Sequence, residues 1–238
     1  MYKKLVISIL IVILFVNYGI VRSEEGSRIN VDTLADEKSK MMAKYAPDNT
    51  GYCSATMITP EVGITAKHCV GNEKVEGYTG AVYPGQSGTR TPFGMMNIRS
   101  YIPNDADDIA IIKGTDQDKS GDYKHYIKGF KLELKSYSKE EGKRLINQKV
   151  YSYGYPSDYV GSPQVRAEGK ITSYNPITNE VETNMPVSEG QSGAGVFLEE
   201  NNQFIGVLTG GYKKDGKDYA RVTLMNQRLV NWFYQNNN

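Results

Sequence analysis

From Tyr52 onward, glycine, proline, asparagine and aspartate break this sequence into short pieces, and few of the pieces have room for a helix. The stretches between breaks are rich in β-branched and aromatic residues: Tyr52–Ile58, Gly63–Ala66, Gly80–Tyr83, Asp108–Lys113, Lys149–Gly154, Gln164–Ser173, Glu180–Asn184, Ala194–Glu199, Gln203–Thr209 and Tyr219–Thr223. Residues of this kind between turn signals predict strands. Many short strands argue for an all-β sandwich or barrel. One helix is expected at the end, where Met225, Leu229, Val230 and Phe233 recur at helical spacing and Thr223 can cap the start. Trp232 beside them reads as packing. A short helix is also expected at Asp36–Tyr45. Gly121 to Arg144, rich in Lys and Glu, reads as a solvated connection; Asp122, Glu133, Glu140 and Glu141 dilute what would otherwise be a basic patch.

The first residues resemble an export signal. Lys3 and Lys4 precede an apolar run from Leu5 to Val16 with Ser8 as its one polar residue, and Val21-Arg22-Ser23 offers a cleavage site. The run is shorter than the roughly 20 residues a membrane-spanning helix needs. The mature chain is therefore expected to begin near Glu24 and to be secreted and extracellular, with no stable membrane association after cleavage. Loss of residues 1–23 leaves 25 basic against 27 acidic residues, a formal charge of −2. Nothing in that balance asks for a nucleic-acid partner. Export favours pairing of the two cysteines, Cys53 and Cys69, over two buried free thiols.

Only two histidines are present, His68 and His125. An imidazole is the usual base near neutral pH. His125 sits in the charged connection, where a solvated role is the default. His68 ends an apolar strand beside Cys69. Asp108 opens the apolar run Ile109-Ala110-Ile111-Ile112, and a partly buried carboxylate there needs a partner such as an imidazole N–H. Asp105 and Asp107 are its rivals. Ser192, in Gly190-Gln191-Ser192-Gly193, is the candidate nucleophile; glycines at 190 and 193 let the N–H groups of Gly190 and Ser192 converge on one point as an oxyanion site. The same tetrapeptide at 85–88 makes Ser87 a control, but it runs into a polar loop, whereas Ser192 leads into an apolar strand.

Together, Gly51-Tyr52-Cys53-Ser54-Ala55-Thr56-Met57-Ile58 with Thr65-Ala66-Lys67-His68-Cys69, Tyr83-Pro84-Gly85, Pro92-Phe93-Gly94, Asp108-Ile109-Ala110, Gly154-Tyr155-Pro156, Gly190-Gln191-Ser192-Gly193 and Gly206-Val207-Leu208-Thr209-Gly210-Gly211 resemble the trypsin-like serine proteases. The likeness is strongest to the bacterial glutamyl-endopeptidase (V8-like) branch and runs from about residue 48 to 235. It implies two packed antiparallel β-barrels of chymotrypsin-like type with a C-terminal helix, and an active site in the cleft between them. It also implies a Cys53–Cys69 disulfide around the catalytic His68, and acyl-enzyme peptide hydrolysis of protein or peptide substrates without cofactor or metal. The expected map is a signal peptide at 1–23, an arm at 24–47, barrels at 48–128 and 129–224, and the helix at 225–238, in a monomer.

The sequence departs from that pattern in places. Gln191 stands where chymotrypsin-like enzymes carry an Asp that pairs with the new N-terminus on activation, so that ion pair is unavailable. Glutamate-cleaving relatives have a His and a Thr or Ser at the positions of Leu208 and Val187. With Thr209 and Gly210, these are expected to line the S1 pocket and to favour an uncharged apolar P1 residue, since a glutamate there would lose hydration without a partner. A secreted non-catalytic binding protein or toxin on the same fold is the alternative. An esterase elbow is excluded, because Gly190-Gln191-Ser192-Gly193-Ala194 lacks the second glycine and His68 is not last in the chain.

Overall fold

In the computed structural model, which describes residues 26–48 and 51–237, the chain is mostly β. The expected export segment lies outside the described residues. Strand β1 (Ser27–Asn30) is followed by β2 (Met42–Pro47), β3 (Cys53–Met57), β4 (Val62–Thr65), β5 (Val75–Glu76), β6 (Gly80–Pro84), β7 (Met96–Asn97), β8 (Ser100–Pro103) and β9 (Ala110–Lys113). The eight from β2 to β9 make one antiparallel sheet in the order β5-β8-β9-β4-β3-β2-β6-β7, a half-barrel whose edge strands do not join. Then come β10 (Lys149–Gly154), β11 (Val165–Asn175), β12 (Glu180–Thr183), β13 (Gly195–Leu198), β14 (Phe204–Lys214) and β15 (Lys217–Leu224). These run β11-β10-β13-β14-β15-β12, and β12 pairs back onto β11 to close a six-stranded barrel. Strand β1 lies outside it on β11, with Ser27 opposite Glu168. The two-barrel, chymotrypsin-like architecture is thus present, with its second barrel the closed one.

Three apolar cores organise it. Ala55, Met57, Val82, Met96 and Ile112 fill the first sheet. Val150, Ala167, Ile171, Val196 and Leu208 fill the second. Between them, Ile64, Ile109 and Ile111 from the front meet Tyr151, Phe197 and Phe204 from the back, together with Leu229 and Phe233. Removing each such side chain from water contributes about 1.5–3 kcal/mol, so the two sheets are held as one body by a shared core.

Short helices occupy the connection, α1 (Gly121–Tyr126) and α2 (Lys139–Arg144), and α3 (Gln227–Asn236) ends the chain. The connection is therefore more than a solvated linker: Tyr123, Leu134 and Tyr137 are buried within it. The cap of α3 is Asn226, whose side chain accepts from Leu229 N–H at 3.0 Å. Thr223 cannot serve, because it lies inside β15 opposite Val207. Trp232 packs as expected, partly buried against the shared core. The helix expected at Asp36–Tyr45 is instead a 3₁₀ turn, Glu37–Met41, leading into β2. Strand β2 lies between β3 and β6, with Met42, Ala43 and Tyr45 buried. Two rows of sheet hydrogen bonds outweigh a weak local helix preference.

Candidate active site

His68 stands in a 3₁₀ turn, Lys67–Cys69, just after β4. The turn is fixed from several sides. Cys69 is disulfide-bonded to Cys53 at the start of β3. The Tyr101 hydroxyl is shared between the carbonyls of Lys67 (2.8 Å) and Gly71 (2.7 Å), and Lys67 Nζ donates to Asn104 O at 2.8 Å.

Asp108 reaches this turn from the loop before β9 and holds His68 twice: Oδ1 accepts from the His68 main-chain N–H at 2.9 Å, and Oδ2 meets ring Nδ1 at 2.7 Å. An ionised carboxylate can only accept, so Nδ1 carries the hydrogen and Nε2 is left as the proton acceptor. The contact with Asp108 raises the His68 pKa above its ordinary 6.5, against an opposing effect of burial. Burial pushes Asp108 up, but the bonds and charge of His68 outweigh it and leave the carboxyl below its ordinary value. The rival acids are accounted for: Asp107 pairs with Arg228 of α3, and Asp105 is exposed. Asn104 Oδ1 accepts from Ala106 and Asp107 N–H, shaping the loop that presents Asp108.

Ser192 lies at a glycine turn before β13. Gly190 (φ +87°) and Gly193 (φ +90°) adopt backbone conformations that side chains disfavour. There is also no room for one: a Cβ on Gly193 would sit 2.1 Å from Ser54 O and 2.3 Å from Thr65 Oγ1, and one on Gly190 2.3 Å from Tyr155 O. Gly193 thus brings the nucleophile's turn against the strand end that leads to His68. The Ser192 carbonyl accepts from Ser54 N–H at 2.8 Å and lies 4.0 Å from Cys69 Sγ. Among the described residues His68 bonds only to Asp108, and the Ser192 hydroxyl has no hydrogen-bond partner. The Gly190 and Ser192 N–H groups donate to no other described residue, as an oxyanion site requires.

Beside Ser192 is a cavity of about 270 Å³ lined by Val187, Ser188, Glu189, Leu208, Gly210, Gly211, Tyr212, Lys213 and Asp218. Three of the four expected pocket residues are there. Thr209 is not: a bulge between Leu208 and Gly210 interrupts the pairing, and the Thr209 hydroxyl lies 3.3 Å from Thr223 Oγ1. The walls are also less apolar than expected, since the β14–β15 hairpin brings in Lys213 and Asp218, 3.4 Å apart. Ser87, the control, sits in a tight turn bridged to Arg90, and His125 is exposed, its ring edge-on to Tyr126.

Ser54 escaped sequence reasoning. Its main-chain N–H donates to the Ser192 carbonyl, and its hydroxyl donates to Gly190 O at 2.8 Å while accepting from Tyr155 N–H at 3.1 Å. No local pattern marks a buried serine whose partners lie more than a hundred residues away.

A half-barrel packed on a closed six-stranded barrel is a chymotrypsin-like fold, and the chain is a serine-type endopeptidase, a hydrolase acting on protein substrates. The chain belongs to the trypsin family, whose model, described as Trypsin, matches residues 29–233. No curated protein matches the sequence. Among solved structures, a Glu endopeptidase in complex with MPD shares the fold at a TM-score of 0.67, 20% identical over 87% of this chain and 95% of that one. Protease Anisep from Arthrobacter nicotinovorans has a TM-score of 0.63 at 17% identity, covering 82% of this chain and 94% of that one. The thermostable serine protease AL20 from an extremophilic microorganism has a TM-score of 0.63 at 16% identity, covering 83% and 98%.

Proposed function

We propose that this chain is a secreted endopeptidase that cleaves peptide bonds through an acyl-enzyme on Ser192. The observation that carries the proposal is the double hold of Asp108 on His68, which leaves Nε2 as proton acceptor. When a peptide is seated, Nε2 takes the Ser192 proton as Oγ attacks the carbonyl carbon. The Gly190 and Ser192 N–H groups receive the negative charge on the carbonyl oxygen. Asp108 steadies the imidazolium, which then gives its proton to the leaving amine; water repeats the sequence to release the acid. Apart from that water, each step uses groups of this chain and the substrate.

The pocket supports an uncharged apolar residue at P1. Val187 and Leu208 line it where glutamate-cleaving relatives have hydroxyl and imidazole groups, and its charged residues are two acids, Glu189 and Asp218, against one base, Lys213. A glutamate side chain would meet net negative charge. The leading segment supports export and cleavage before Glu24. Among the described residues no helix is long and apolar enough to cross a membrane. The working domain map has the arm ending before β2, which belongs to the first sheet, then two barrels and a closing helix, in a protein acting as a monomer.

Fluorophosphonate labelling of the secreted protein tests the mechanism. Covalent modification at Ser192, abolished in Ser192→Ala together with cleavage, is the expected result. An inert native protein that binds other proteins would instead establish the non-catalytic alternative.

A further inference from the structure

The N-terminal arm connects to the active site through side chains. Arg28, on β1, grips Asp158 with two parallel bonds, Nη1 to Oδ1 at 3.0 Å and Nη2 to Oδ2 at 2.8 Å, and its guanidinium lies 5.0 Å from the centre of the Tyr159 ring. Asp158 Oδ1 also accepts from the Ser188 hydroxyl at 2.7 Å. Ser188 N–H in turn donates to Gln191 Oε1 at 2.9 Å, and the Gln191 side chain is fully buried. A main-chain bond from Ser157 N–H to Glu189 O, 2.8 Å, runs alongside. The chain of contacts therefore begins in a strand outside the barrel and ends in the turn that carries the Gly190 and Ser192 N–H groups.

We propose that Arg28 is a positioning residue: through Asp158, Ser188 and Gln191 it holds the 188–192 turn in the form whose two N–H groups converge on the substrate oxygen. The proposal rests on the endopeptidase reading above. Stability alone does not account for the contacts. Asp158 is 45% exposed, and an ion pair so open to water contributes little to folding. What two parallel Arg–carboxylate bonds supply is geometry, and the turn they reach needs it, because an oxyanion donor displaced by about 1 Å forfeits much of its effect. Gln191, unlike a carboxylate at that position, has no charge with which to anchor the turn on a cationic N-terminus. Its carbonyl oxygen instead receives a main-chain N–H whose own residue is tied outward to the arm. A chain cut past Arg28 lacks this device.

The experiment compares the secreted native protein with Arg28→Ala, Arg28→Lys, Asp158→Asn and the Arg28→Ala/Asp158→Asn pair, measuring kcat, KM, the rate of fluorophosphonate labelling and Tm. Arg28→Ala is expected to lower kcat and the labelling rate roughly ten- to a hundredfold, with KM within about twofold and Tm within about 2 °C. Arg28→Lys, which keeps charge but not the fork, recovers only part of the loss, and the double variant is no worse than the poorer single one. The positioning role is overturned by an Arg28→Ala enzyme with native kcat, by a loss confined to Tm, or by losses that multiply in the double variant. Native protein that neither turns over nor labels removes the endopeptidase reading and the relay with it, whereas an active native protein with an indifferent Arg28 removes only the relay.

Discussion

Ser54 N–H donates to the carbonyl oxygen of Ser192 at 2.8 Å, joining a strand of the first sheet to the nucleophile's own residue. The same Ser54 also accepts a bond from Thr65 Oγ1 on its carbonyl and donates its hydroxyl to Gly190 O, both at 2.8 Å. The two halves of the site are thus hydrogen-bonded through a residue that takes no part in the chemistry, and placement of the serine depends on the sheet that carries His68.

Asp108→Asn should change both the height and the shape of the pH profile. His68 must be neutral to accept a proton, so kcat/KM rises as pH passes upward through its pKa, which Asp108 raises. Without the carboxylate that acid limb moves to lower pH, and the plateau falls by about four orders of magnitude because the wrong tautomer is favoured. Initial rates from pH 5 to 9 check this. An acid limb that stays in place assigns it to another group.

Gly193→Ala should disable the enzyme although it adds one methyl. The new Cβ meets the backbone oxygen of Ser54 at 2.1 Å, and φ is +90°. The seam must open, costing about 1–3 kcal/mol and shifting the turn that carries Ser192 away from Ser54 and Thr65. Turnover at least a hundredfold lower, with a lower Tm, is expected. Native kcat in this variant contradicts the assembly described.

Replacing both Cys53 and Cys69 by Ala removes a crosslink between residues 16 apart, worth about 3 kcal/mol. For a chain of this length Tm should fall by roughly 6–12 °C. Activity should fall even at temperatures where the variant is folded, since His68 adjoins Cys69. Calorimetry and kcat on the same preparation separate the two effects.

Leu208→His, alone and with Val187→Thr, should raise cleavage after glutamate relative to leucine in a peptide library, because it gives a buried carboxylate a hydrogen-bonding partner. The native protein should favour apolar P1 residues. A native profile dominated by Lys or Arg transfers discrimination to Glu189 and Asp218, and one dominated by Glu removes the roles given to Leu208 and Val187.

Much of the candidate site was legible from local context. His68 beside a cysteine at a strand end, Asp108 opening an apolar strand and Ser192 between glycines each stand out within a few residues. Strand β10 was placed to the residue, Lys149–Gly154. Residues 42–45 are strand and not helix: their short polar–apolar pattern suits either period, and only the flanking strands β3 and β6 decide it.

Local residue chemistry, by itself, determined that this chain breaks into short strands, ends in an amphipathic helix and carries one histidine, one acid and one serine in settings suited to nucleophilic catalysis. Tertiary structure alone decided the rest: that Asp107 is taken by Arg228, that Thr209 turns from the pocket while Lys213 and Asp218 line it, and that Arg28 reaches the nucleophile's turn through Asp158. The reason is physical. Strand and turn preferences act over a few neighbouring residues, whereas a hydrogen bond or ion pair between residues a hundred positions apart depends on where the closed barrel and the shared core bring them.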